Sequence, residues 1–431
     1  VGEVRLRQLD VTQLGRRQRV APGGAQGLVL QRDDHRSEAL LKFTLDDVAY
    51  LTSDEGVAAL ADVAALPSLD GVRDVAVVRE RHAARAPVLI ETTLLRRRAV
   101  AKLPDAGQWL FTDEALQQAT AEPVAAHRAL RLAGRVVHDV TCSVGADLAA
   151  LRRTAAEVVG SDLDPVRVAM ARHNLGGEVL ICRADALHPV TRDAAVVADP
   201  ARRSEGRRRF DPREYMPALD DLLEVCSDRD LAVKCAPGID FDALGDMGFR
   251  GEVEITSWAG SVREACLWSP GLGESGVTRR ATVLDTGEQL TDAEDSDCEV
   301  GPVGRWIVDP DGAVVRAGLV RHYAARHGLW QLDPEIAYLS GDTVPPGVRG
   351  FEVIEELAFT EKALRQALSV HDCGVLEILV RGVNVNPDEL RRRLRLRGTV
   401  SLSVVITRIG AGANARRRAF ICRSVPVAAS I

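Results

Sequence analysis

Aromatic residues make up only 4% of this 431-residue chain, and lysine is almost missing: Lys42, Lys102, Lys234 and Lys362 stand among 55 basic residues, the rest being arginine. So few rings argue against a protein that reads single bases by stacking them on an aromatic platform. The arginine bias fits two causes equally, the composition of the genome or a need for forked contacts to phosphate. No uncharged apolar run approaches the roughly eighteen residues that span a bilayer, and the first thirty residues lack the apolar core of a signal peptide, so a cytoplasmic location without membrane partners is expected. The eight cysteines (142, 182, 226, 235, 266, 298, 373 and 422) form no C-x-x-C pair and no tight cluster with histidine. Neither a disulfide framework nor a metal centre is indicated.

What is present is apolar material for two or three cores: 46% of residues are hydrophobic and 27% charged. The formal charge of −7 excludes a uniformly basic protein, yet it averages unlike segments. Residues 285–299 carry seven acids and no base, whereas residues 372–424 carry eleven arginines against Asp372, Glu377, Asp388 and Glu389, a balance of 11 − 4 = +7. That second segment is suited to a polyanion.

Residues 1–38 are polar and aperiodic and are expected as a disordered tail. Residues 39–125 read as successive amphipathic helices, with Ser53 or Asp54 capping one and Thr112 opening a helix that continues through EPVAAHRALRLAG into the next strand. Across 126–283, the short apolar runs RVVHDVT, AEVVGSD, EVLICRAD, DAAVVADP and DLAVKCAP alternate with helix-compatible stretches. This is the pattern of an α/β fold with an open, doubly wound, Rossmann-like parallel sheet, and EVEITSWA and VREACLW are expected as a hairpin closing one edge. Residues 284–302 form an acidic linker, and 303–424 mix strands and helices as a small α/β domain.

Ligands of such sheets lie at the carboxyl ends of the strands. The first strand ends in Asp139-Val-Thr141-Cys-Ser143-Val-Gly145-Ala146-Asp147, where a turn and a helix N-terminus face a ligand and Gly145 and Ala146 leave room for close approach. Thr141 and Ser143 stand where a dinucleotide site has glycines, which disfavours NAD; a plain structural turn is the alternative. The second strand ends in Asp162, placed for the two hydroxyls of a ribose, while Asp164 and Pro165 suit a helix cap. The third ends in Asp185, suited to an adenine amine, and the fourth in Asp199-Pro200-Ala-Arg-Arg, where a carboxylate accepts hydrogen bonds from an incoming amine. The arginines at 202, 203, 207, 208 and 209 read either as phosphate ligands or as a solvated loop.

The succession D-x-T-C-S-x-G-A-D, GSDLDP, C-x-A-D-A, ADPARR and VKCAPGID resembles the class I S-adenosylmethionine-dependent methyltransferases, in particular the bacterial subfamily with a THUMP-like C-terminal domain. FTDEALQQAT upstream, and AYLSGD, LEILVRGVNVNPDELRRRLRLRG and VVITRIG downstream, resemble the same subfamily. The resemblance implies a methyltransferase sheet, S-adenosyl-L-methionine as cofactor held by Asp139, Thr141, Ser143, Gly145, Ala146, Asp162 and Asp185, and methyl transfer at Asp199 and Pro200. It also implies an RNA substrate, a tRNA or rRNA base. Two departures stand out: a single glycine in the cofactor turn, and D-P-A-R in place of the D/N-P-P-aromatic tetrad of amino-methylating enzymes. Uracil-C5 enzymes carry a similar D-P-x-R turn and a nucleophilic cysteine after the fifth strand. Cys235, in Lys234-Cys235-Ala-Pro, occupies that place, with a buried packing residue as the alternative. In the C-terminal domain the helix opened by Asn386-Pro387 should pack through Leu390 and Leu394 and turn Arg391, Arg392 and Arg395 toward RNA phosphates. A catalytically silent RNA-binding protein and a small-molecule methyltransferase are the competing readings.

Overall fold

The computed structural model describes residues 41–69, 71–201, 211–410 and 415–425, together with the backbone of 203–204 and 207–208. The tail expected at 1–38 lies outside the described residues, as do the side chains of the arginines at 202–209. No described helix is long and apolar enough to cross a membrane.

Four helices open the described chain: α1 (Leu45–Leu51), α2 (Asp54–Ala64), α3 (Val72–His82) and α4 (Ala86–Ala99). Thr44 starts α1 with a full capping box, and Ser53 caps α2 by accepting from the Gly56 amide. Their apolar faces, with Leu51, Val63, Leu89, Leu95 and Phe111, form a core that also takes in Val144 and Met170 from the following domain. The helical segment and the turn that follows Asp139 thus share one core rather than meeting at a linker. The long helix expected from Thr112 is two helices, α5 (Asp113–Gln118) and α6 (Glu122–Arg131). Thr112 does cap the first, but Ala119 swings to ψ 139° and Pro123 sits in the first turn of the second, which leaves Thr120 in an extended break.

The large sheet is built from β1 (Val136–Asp139), β2 (Glu157–Asp162), β3 (Leu180–Arg183), β4 (Ala195–Ala198), β5 (Leu231–Cys235), β6 (Glu252–Trp258), β7 (Ser261–Trp268), β8 (Arg279–Val283) and β9 (Glu288–Thr291). Its order is β3-β2-β1-β4-β5-β7-β6-β8-β9. Strands β3, β2, β1, β4 and β5 run parallel, and the chain order reverses between β1 and β4. The helices α7 (Ala146–Leu151), α8 (Pro165–Asn174), α9 (Leu219–Val225) and α10 (Phe241–Asp246) connect them. The expected hairpin exists as β6 and β7, but it does not close the edge. β8 adds parallel to β6 and β9 antiparallel to β8, so part of the expected acidic linker is a strand of this sheet.

A second sheet of seven strands follows, β11-β12-β10-β13-β16-β15-β14, with β10 (Trp306–Val308), β11 (Trp330–Asp333), β12 (Ile336–Gly341), β13 (Gly350–Ala358), β14 (Cys373–Arg381), β15 (Val400–Ile409) and β16 (Arg416–Val425). The boundary expected at 302/303 does not separate two cores. Helices α11 (Gly312–Ala317) and α12 (Val320–His327) place Val314, Ala317 and Tyr323 in the same cluster as Ile255, Ala281 and Leu290 of the first sheet. The far half of the second sheet has its own core, in which α13 (Glu361–Val370) and α14 (Pro387–Leu394) bury Leu364, Leu368, Leu390 and Leu394 against Leu376 and Val404.

Candidate functional site

At the carboxyl end of β1, β2 and β4 a cavity of about 1180 Å³ opens between the sheet and the helical segment. This is the crevice where the strand order reverses, the usual ligand position of a doubly wound sheet. Residues of the β1 turn, Asp162, Asp185 and Asp199 line it from below, and Phe43, Thr112 and Gln118 from the helical side.

The β1 turn is held from within. Ser143 adopts a left-handed φ of 49° and its amide donates to Asp162 Oδ2 at 2.9 Å. Gly145 caps α7 at φ 92°, and a Cβ there would lie 3.1 Å from Leu175 Cδ1, so this one glycine is required both by backbone and by space. Thr141 accepts from the Asp199 amide through Oγ1 at 2.6 Å, tying the β1 turn to the β4 turn. The two positions where the sequence departs from a glycine-rich turn therefore carry a cross-link and a tolerated left-handed residue. Ala146 lines the cavity, whereas Gly145 does not.

Asp162 ends β2 with each oxygen engaged once, by Ser143 N and by Asp164 N at 2.9 Å. Each carboxylate oxygen has a second lone pair, so two acceptor directions remain on a residue that lines the cavity. Burial raises the Asp162 carboxyl above its ordinary range. Asp164 caps α8 by accepting from Val166 N at 2.8 Å. Asp185 is exposed at the cavity rim, its Oδ1 accepting from Leu187 N at 3.0 Å. Asp139 behaves differently from the expectation. It is 3% exposed, turns inward to accept from Thr141 N at 3.0 Å, and does not line the cavity. Burial, reinforced by the facing Asp147 carboxylate, pushes its carboxyl well above the usual range. Asp139 shapes the turn from behind.

Asp199 lines the cavity and accepts from Lys234 Nζ through Oδ2 at 2.5 Å. Pro200 is buried behind it and is not part of the lining. Cys235 departs from the nucleophile reading: it is 0% exposed, off the cavity, and packed in the apolar cluster with Val140, Val233 and Ile239. Strand alternation explains this, since Lys234 and Cys235 point to opposite faces of β5, and the lysine faces the site.

Sequence reading missed a buried ionic chain beneath the site. Arg128 of α6 donates to Asp147 Oδ1 at 2.8 Å and to both oxygens of Glu264 at 2.7 Å. Thr120 donates to Asp147 Oδ2 at 3.1 Å and accepts from Lys234 Nζ at 2.9 Å. Burial works against ionisation of Asp147, but the charges of Arg128 and Lys234 override it and hold the carboxyl below its usual range. The available signal was an arginine on the apolar face of a helix, buried positions where a charge must have a partner.

Acidic side chains dominate the cavity: Asp113, Glu114, Asp147, Asp162, Asp164, Asp185, Asp199 and Asp221 line it, against Lys42 and Arg167. Such an acceptor set fits a nucleoside with a free diol and a positive charge, and it disfavours a pyrophosphate. The volume leaves space for a second reactant beside it.

In the C-terminal domain, α14 ends at Leu394, and Arg395 is its left-handed cap at φ 52° rather than a residue of the helix. Arg391 is committed to Leu376 O at 3.0 Å and Asp388 at 2.6 Å; Arg392 is exposed. Two adjoining grooves meet at Arg393. One of about 760 Å³ is lined by Arg365, Arg395 and Arg397, and one of about 820 Å³ by Asn384, Asn386, Arg416 and Arg417.

Comparison with known proteins agrees with this architecture. A THUMP domain-like family model matches residues 348–424, and a domain of unknown function matches residues 44–99. An uncharacterized S-adenosylmethionine-dependent methyltransferase of Mycobacterium tuberculosis, in strains CDC 1551 and H37Rv alike, is 66% identical over 355 residues, 80% of this chain and 99% of the relative. The crystal structure of a proposed methyltransferase from Porphyromonas gingivalis W83 superposes with a TM-score of 0.66 at 19% identity, covering 90% of this chain and 100% of that one, which establishes the shared fold. With that near-complete match at high identity laid over an acidic crevice at the strand ends, the chain belongs to the S-adenosylmethionine-dependent methyltransferases, in the group with a THUMP-like C-terminal domain.

Proposed function

We propose that this methyltransferase acts on RNA and methylates a base at an exocyclic nitrogen. The observation that carries the RNA reading is the THUMP-like domain at 348–424, whose two grooves gather Arg365, Arg393, Arg395, Arg397, Arg416 and Arg417 on the same chain as the methyl-donor cavity. Planar guanidiniums suit phosphate oxygens, and nothing about them selects a sequence.

S-adenosylmethionine, when bound, supplies a methyl group already activated by its sulfonium. Asp162 would hold the ribose hydroxyls and Asp185 the adenine amine. The carboxylates of Asp162, Asp185 and Asp221 in the lining favour a cationic group in the cavity by Coulomb attraction. Asp199 keeps the acceptor in line: its carboxylate accepts the N–H hydrogen of the amine, and takes the proton that the nitrogen sheds on methylation. Two features support nitrogen over pyrimidine carbon, the carboxylate at the cavity wall and the burial of Cys235 away from it.

The test is mass spectrometry of nucleosides from total RNA of cells with and without the gene, joined to binding of that RNA at graded salt. An N-methylated nucleoside lost with the gene, and affinity that falls steeply between low and physiological salt, are expected. Affinity indifferent to salt, or RNA identical in both strains, would overturn the reading.

A further inference from the structure

Lys234 is an unusual tenant for an interior strand of the large sheet, paired parallel to β4 and antiparallel to β7. It sits on β5 between Val233 and Cys235, is 5% exposed, and its ammonium spends all three hydrogens on partners from other parts of the chain. These are Asp199 Oδ2 at 2.5 Å, Thr120 Oγ1 at 2.9 Å and the Gln118 carbonyl at 3.4 Å. A buried ammonium is costly to desolvate, and an apolar residue would fill this position at less expense to stability. Asp199 Oδ1, by contrast, has no partner among the described residues, on a side chain 24% exposed at the cavity wall. One oxygen of Asp199 is thus spoken for and the other is presented.

We propose that Lys234, braced by Thr120 from the helical segment, is a positioning residue for methyl transfer, fixing the Asp199 carboxylate with Oδ1 turned to the methyl acceptor. The proposal rests on the reading of Asp199 as the acceptor's partner. Thr120 has this place because the helix predicted from Thr112 breaks there, so the helical segment contributes to the reaction centre and does not merely cover it.

The charged groups facing the pair are Asp139 from β1, Asp147 from α7, Arg128 from α6, Glu264 from β7, and Lys102 ahead of α5. Arg128 is bound to Asp147 and Glu264 through its two terminal nitrogens. Lys102 donates to the Leu116 and Gln117 carbonyls, and burial with the facing Lys234 brings it down to about 8. Without Lys234, Asp199 Oδ2 loses the donor that holds it, and the carboxylate is free to turn.

The experiment is Lys234→Met in the full chain, read in two ways. With carboxyl-¹³C aspartate, the resonance that disappears in Asp199→Asn is compared at one pH; it should be displaced and broadened in Lys234→Met, because the carboxylate loses its fixed partner. With total RNA from cells lacking the gene as acceptor, kcat should fall about 100-fold. The Kd for S-adenosylmethionine by calorimetry should stay within about twofold. Thr120→Val should displace the Asp199 resonance less and lower kcat less, and Thr120→Ser should restore the wild-type values of both, which keeps the test alive if Lys234→Met fails to fold. An unmoved Asp199 resonance, or cofactor affinity falling in step with kcat, would overturn the proposal and make Lys234 a packing residue. If wild-type enzyme methylates no RNA, the substrate reading falls while the Asp199 resonance still decides the role of Lys234.

Discussion

Replacing Arg128 with methionine should be among the most damaging single changes outside the cavity, and its pH dependence identifies the cause. The guanidinium is 3% exposed and makes three charge-assisted contacts of 2.7–2.8 Å, one to Asp147 and two to Glu264. Methionine fills much of the same space, so the loss is electrostatic: two carboxylates remain buried with Thr120 and Lys234 as the nearest relief for Asp147 and none of comparable strength for Glu264. Breaking a buried pair by removing one partner costs about 3–5 kcal/mol, a large share of a typical domain's stability. The sign with pH follows from the direction of the shifts. In the wild type Asp147 is held below its usual range, so its contribution is complete above the ordinary carboxylate pKa and is lost only as pH falls below about 4. In Arg128→Met the chief charge holding Asp147 down is gone while its burial remains, so the gap between variant and wild type narrows as pH drops from 7 toward 5. Urea denaturation at pH 7 and 5.5, followed by tryptophan fluorescence, measures both. Adding Glu264→Gln to Arg128→Met should restore part of the loss at pH 7. A gap below about 1 kcal/mol, or an equal gap at both pH values, would refute the account of a buried ionic brace.

Asp162→Ala should weaken S-adenosylmethionine binding by about 1.5–3 kcal/mol, roughly 10- to 150-fold by calorimetry, and an unchanged affinity would remove Asp162 from the ribose site. Cys235→Ala should leave methyl transfer within about twofold of wild type, because the thiol is sealed in the core; abolished turnover would bring back a covalent pyrimidine route. Gly160→Ala places a Cβ 2.5 Å from Leu148 Cδ1 and 3.3 Å from Cys142 Sγ, so it should cost about 1–3 kcal/mol in urea midpoint and loosen cofactor binding through the displaced β1 turn. A variant with unaltered midpoint and affinity would mean that Leu148 swings aside freely.

Local chemistry made much of this protein legible from its sequence. The five apolar runs that became β1 to β5 are bounded by turn residues, and the carboxylates ending β2, β3 and β4 face one crevice because parallel strands send their ends to one side. Thr112, Ser53 and Asp164 act as caps because a cap answers to the three or four residues beside it. The membership itself rode on the order of those strand ends.

Other features depend on partners far along the chain, and only the tertiary structure decided them. Asp139 ends its strand as Asp162 does, yet it turns inward to hold Thr141, a difference between two similar motifs that spacing does not encode. The break at Thr120 exists because α6 must bring Arg128 to Glu264, 136 residues away, while α5 stays over the cavity. Lys234 reads as one polar interruption in an apolar strand until Asp199 and Thr120, 35 and 114 residues distant, close around its ammonium. β9 looked like linker because it is four residues long within an acidic run, and the partners that cover it, His327 on Glu288 and the core around Leu290, come from far along the chain. Arg395 sits in a helical-looking run but caps it in a left-handed turn. Backbone periodicity and capping are short-range and survive in the sequence; the pairing of buried charges is long-range, and in this protein it joins Thr120, Lys234 and Asp199 at the cavity wall.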